Sequence, residues 1–83
     1  MTVELQQQFY ISSLVVRCLP EKLQQVMDTI GAIQGVEIHG SDPSGKFVAL
    51  VELDSEDILV ETITKIELTT GVINASMVYH HVE

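Results

Sequence analysis

The chain has 83 residues, enough for one domain with a modest core. Its formal net charge is -8, from 12 acids against only four basic residues, Arg17, Lys22, Lys46 and Lys65. That balance argues against nucleic acid and anionic membrane surfaces as partners and favours a basic one.

Residues 1–8 are polar without a clear period and read as a mobile arm ahead of a single domain over residues 9–83. The arm lacks the basic start and apolar run of a secretory leader, and no apolar stretch approaches bilayer length, so a cytoplasmic location without membrane insertion is expected. Residues 9–18, ending in "ISSLVVRC", form a first strand rich in β-branched residues. Pro20 opens a helix in which Leu23, Val26, Met27 and Ile30 recur at helical spacing as one apolar stripe. "VEIHG" is a short second strand. "SDPSGK" is a turn, with Asp42 and Ser44 bonding locally and Gly45 free to take positive φ. "KFVALVELD" is the third strand. Asp54 or Ser55 caps a second helix with Leu59, Ile63 and Ile66 on its stripe and Thr62 beside them. "VINASMVYHH" is the last strand.

The order β-α-β-β-α-β, with "QGVEI" and "TGVIN" echoing each other after the two helices, predicts an α+β, ferredoxin-like split βαβ. Its four-stranded antiparallel sheet has strand order 4-1-3-2, with both helices on one face and the other face open. Strand periodicity assigns Phe47, Ala49, Val51 and Leu53 to the helix side, together with Ser12, Leu14, Val16, Cys18, Ile73, Ala75 and Met77, with Tyr79 at the margin. The open face then carries Ile11, Ser13, Val15, Val48, Leu50, Ser76 and Val78, bordered by Arg17, Glu37, His39, Glu52, Asn74 and His80. An apolar patch of this size on a sheet face predicts a partner-binding surface, with a sheet-mediated homodimer or an idle face as the alternatives.

Catalytic chemistry is not legible. There is no Gly-rich phosphate loop and no recognisable nucleophile–base arrangement. His80 and His81 point to opposite faces of a strand, so no metal site is expected, and Cys18 has no second cysteine to pair with. The aliphatic sheet face and the acidic charge do not suit base stacking on RNA. A small-molecule regulatory module of the ACT type is the alternative binding reading, since glycines such as Gly35, Gly40 and Gly71 lie near strand ends.

"ISSLVVRC", "GVEIHGSDPSGKFVALVE" and "GVINASMVYHH" together resemble the NapD family over residues 10–81. The resemblance implies a ferredoxin-like fold and a cytoplasmic chaperone, not an enzyme and without a cofactor. It also implies a partner: the twin-arginine signal peptide of NapA, the catalytic subunit of periplasmic nitrate reductase, whose export is held back until its cofactor is inserted. A basic, apolar helix laid on the open face would contact Ile11, Ser13, Val15, Val48, Leu50, Ser76, Val78 and His80. Glu37, Glu52 and Asp54 would then meet its arginines.

Overall fold

The computed structural model describes residues 9–82, and the arm expected at residues 1–8 lies outside them. The β-branched runs form β1 (Tyr10–Cys18), β2 (Val36–Asp42), β3 (Lys46–Leu53) and β4 (Val72–Val82). The periodic stripes form α1 (Leu23–Gly31) and α2 (Glu56–Glu67). Pro20 starts a 3₁₀ turn over Pro20–Lys22 rather than the α-helix itself, which begins at Leu23. Of the two candidate caps for α2 it is Ser55 that serves, its hydroxyl accepting from the Ile58 N–H at 3.3 Å, with Glu56 and Asp57 in the positive first turn.

The strands form one antiparallel sheet in the order β2-β3-β1-β4, the expected ferredoxin-like arrangement. Leu14, Val16 and Cys18 of β1 and Phe47, Ala49 and Val51 of β3 bury one face against Val26 and Ile30 of α1 and Leu59 and Ile66 of α2. Ser12 and Thr62 are the buried polar residues among the described ones, and no buried side-chain polar atom is left without a partner there. No helix among the described residues is long and apolar enough to cross a membrane.

The two halves repeat at the level of backbone bonds. After α1, Gly35 takes φ +85° and its carbonyl accepts from the Glu52 N–H at 2.8 Å. After α2, Gly71 takes φ +98° and its carbonyl accepts from the Leu19 N–H at 3.0 Å. The hairpin between β2 and β3 is tied differently. The Asp42 carboxylate accepts from both the Ser44 N–H, at 3.0 Å, and the Ser44 hydroxyl, while the Asp42 carbonyl accepts from the Gly45 N–H at 2.9 Å.

Gly45 is needed for two separate reasons. Its φ is +100°, and a Cβ there would lie 2.2 Å from the Cys18 carbonyl oxygen, where the strand end bonds back to the Gly45 carbonyl at 2.7 Å. Gly45→Ala is expected to lower unfolding stability by about 2 kcal/mol or more. Ser55→Ala, which removes one capping bond, should cost about 1 kcal/mol. Urea titration of the two variants beside the wild type measures both, and equal midpoints for Gly45→Ala and wild type would refute the close-approach account.

Candidate functional site

The face of the sheet away from the helices is a grid, because residues paired across antiparallel strands share a face. Read across β2, β3, β1 and β4, one end row is Asp42, Lys46, Arg17 and Asn74. The next is His39, Val48, Val15 and Ser76, followed by Glu37, Leu50, Ser13 and Tyr79. The last holds Glu52, Ile11 and His81. Ile11, Val15, Val48 and Leu50 form an aliphatic floor on the two central strands. All four are only half-buried, since no element of the described chain lies over them.

Eight of the expected contact residues, Ile11, Ser13, Val15, Glu37, Val48, Leu50, Glu52 and Ser76, are thus brought together on one face. Val78 and His80 are not among them. β4 has 11 residues and its partner β1 has nine, and the difference of two is taken up by two register shifts. One falls between the Ser13–Tyr79 and Leu14–Met77 pairs and leaves Val78 without an opposite residue, 61% exposed. Beyond it the phase of β4 inverts. His80 pairs with Ser12 on the helix side, its Nδ1 lying 2.8 Å from the buried Ser12 Oγ. Tyr79, expected at the helix-side margin, instead stands on the open face and stacks on His81, with ring centroids 6.1 Å apart. The second shift leaves Ile73 unpaired and 62% exposed rather than turned inward. Ala75 and Met77 keep the expected side, opposite Val16 and Leu14.

β2 carries a third irregularity, at Gly40 between the His39–Val48 and Ser41–Phe47 pairs. There the edge opens into a hollow of about 380 Å³ reaching Val15 and Val48. A second hollow, of about 400 Å³, lies toward the other end of β2 and is lined by Phe9, Val36, Glu37, Leu50 and Glu52. Glu37 meets His39 on the same face, Oε1 to Nε2 at 2.5 Å. Asp54 is exposed just past the end of β3, at the Glu52 end.

Among the described residues, no three His, Cys, Asp or Glu side chains are placed to hold a metal ion. Burial pushes the Cys18 thiol pKa up, away from the reactive thiolate.

The comparisons with known proteins agree on one family. A family model described as "NapD protein" matches residues 9–83. This chain belongs to the NapD family. The relative named Chaperone NapD from Escherichia coli K12 is 34% identical over 74 residues, covering 88% of this chain and 85% of that one. Its counterpart from Haemophilus influenzae is 33% identical over 73 residues, covering 87% and 78%. Among solved structures, the solution structure of the E. coli Tat proofreading chaperone protein NapD superposes with a TM-score of 0.81 at 32% identity, covering 88% of this chain and 78% of that one. NapD relatives are chaperones rather than enzymes, in keeping with a face that offers contact area and charge.

At the basic end of this NapD face, the Ser44 hydroxyl and N–H, with Lys46 nearby, hold the Asp42 carboxyl below the usual aspartate range. A carboxyl with a lowered folded-state pKa contributes stability above its unfolded pKa and loses it as pH falls through the folded value. Asp42→Asn should therefore be less stable than wild type at neutral pH, and the difference should shrink as the pH falls through the lowered folded-state pKa of Asp42. Thermal unfolding followed by circular dichroism between pH 2 and 7 measures this, and a constant offset across that range would contradict it.

Proposed function

We propose that this chain is a cytoplasmic chaperone that binds the twin-arginine signal peptide of NapA on the open face of its sheet, restraining export until cofactor insertion and folding are complete. The observation that carries the reading is the aliphatic floor of Ile11, Val15, Val48 and Leu50, bare on a chain of net charge -8. Antiparallel sheets that face water normally present polar residues there. An apolar floor with Glu37 and Glu52 at one end is complementary to a peptide that combines an apolar run with arginines.

A helix suits the floor better than an added strand. The floor is a face, not an edge, and a helix with its side chains is about 10–12 Å across. That width covers the two central strands and leaves β2 and β4 to flank it, since neighbouring strands lie about 4.8 Å apart. Each aliphatic residue covered removes further apolar area from water. Glu37, Glu52 and Asp54 add steering and orientation more than affinity, because charges at the rim stay solvated. Membership of the NapD family, and the similarity to the E. coli Tat proofreading chaperone NapD, support the choice of signal peptide.

Calorimetric titration of a synthetic NapA signal peptide into wild type, Val15→Glu and Leu50→Glu tests this. Both variants should retain the fold, since neither position contributes to the buried core, and both should lose at least about tenfold in affinity, roughly 1.4 kcal/mol. Folded variants with wild-type affinity would remove the face from consideration. A ligand-induced thermal shift with free amino acids or nucleotides, and none with the peptide, would favour the small-molecule reading instead.

A further inference from the structure

The open face is electrically polar along its strands. At one end Lys46 and Arg17 stand side by side, and the neighbouring Asp42 carboxylate is already engaged by Ser44. At the other end the charged residues are Glu37, which is bonded to His39, and Glu52, with no Lys or Arg in the two rows that hold them. The hollows follow the same division. The one reaching Val15 and Val48 is at the Lys46 end, and the one flanked by Glu37 and Glu52 is at the opposite end. Ile11 and Arg17, the outermost face residues of β1, are six residues apart, ~20 Å, which matches about 13 residues of α-helix.

We propose that this face accepts its helical peptide in one direction only, with the arginine pair over the Glu37–Glu52 and Tyr79–His81 half and the apolar C-terminal stretch over the Arg17–Lys46 half. The helix then runs parallel to β1 and antiparallel to β3. This rests on the signal-peptide reading above and adds to it a direction and a second arginine receptor, the Tyr79–His81 pair.

Three physical arguments agree. Arginines over Arg17 and Lys46 would be repelled, and over Glu37 and Glu52 attracted. The helix dipole points the same way, since its negative C-terminal end comes to lie over the two cations and its positive N-terminal end over the two acids. The third argument is angular. Adjacent residues on an α-helix project about 100° apart, so two consecutive arginines cannot reach one receptor. The face offers one on each flank. Glu37 and Glu52 lie toward β2 and β3, where carboxylates accept guanidinium hydrogen bonds. On the β4 flank the stacked Tyr79 and His81 rings, brought there by the bulge at Val78, offer a surface on which a planar guanidinium stacks.

Paramagnetic broadening of the backbone amides of the full chain tests the direction, using the NapA signal peptide spin-labelled at one end or the other. A label N-terminal to the arginines should broaden Ile11, Glu52 and His81, and a C-terminal label should broaden Arg17, Lys46 and Asn74. The reverse pattern, or the same pattern from both labels, overturns the direction while leaving the peptide site standing. Absence of binding overturns the peptide reading itself. A second measurement isolates the receptors. Glu37→Gln/Glu52→Gln should slow association of the native peptide and weaken it about threefold, and leave the affinity of a peptide with both arginines replaced by glutamine unchanged. Tyr79→Leu should show the same selectivity in smaller measure. Equal losses for the two peptides in both variants would overturn the assignment of the arginines to this end.

Discussion

The geometry depends on where two crossovers place their helices. β1 connects through α1 to β2, passing over β3, and β3 connects through α2 to β4, passing over β1. The two moves run in opposite directions across the sheet, and the two strands they leave are antiparallel. Crossovers between parallel strands are right-handed almost without exception, and reversing both strand direction and lateral direction keeps the helix on the same side. Both helices therefore land on one face, and the second face has no element of the described chain to cover it. Everything proposed about function begins with that bare face.

A bare apolar face is a hazard for a small protein, and this one limits the exposure chemically. The floor is made of branched aliphatic side chains on adjacent central strands, with Val15 directly opposite Val48, so they shelter one another and remain half-buried without a partner. Ser13, opposite Leu50, keeps the middle of the floor low. The net charge of -8 opposes association between copies of the chain, while the same charge attracts a basic peptide. The arrangement favours reversible, directed capture. Contact area comes from aliphatic groups that need no reorganisation, and selectivity from charges at the rim.

Irregularities in the edge strands shape the site as much as the central strands do. The bulge at Val78 turns Tyr79 and His81 to the open face and His80 to Ser12 beneath it. The irregularity at Gly40 opens the hollow beside Val15 and Val48. Bulges also twist and interrupt an edge, which discourages pairing with another chain's strand. In this sheet the same device moves side chains between faces and protects its margins.

By itself the sequence determined the elements, their order and the phase of the central strands. In "ISSLVVRC" and "KFVALVEL" the charged Arg17, Lys46 and Glu52 mark the face that stays in water, which leaves Leu14, Val16, Phe47, Ala49 and Val51 to be buried together, and a one-residue slip would expose all of them. The family resemblance added a function that periodicity alone could not supply. Only the tertiary structure decided the edges. Along "VINASMVYHH" apolar residues stand at Val72, Ile73, Ala75, Met77, Val78 and Tyr79, so no single alternation is enforced. The two extra residues had to be absorbed somewhere, and their places at Ile73 and Val78 were set by pairing with β1, a contact some 60 residues away in the chain. That pairing moved His80 off the open face and put Tyr79 on it. A local pattern carries phase only while the strand is regular, and regularity is a property of the partner strand as much as of its own residues.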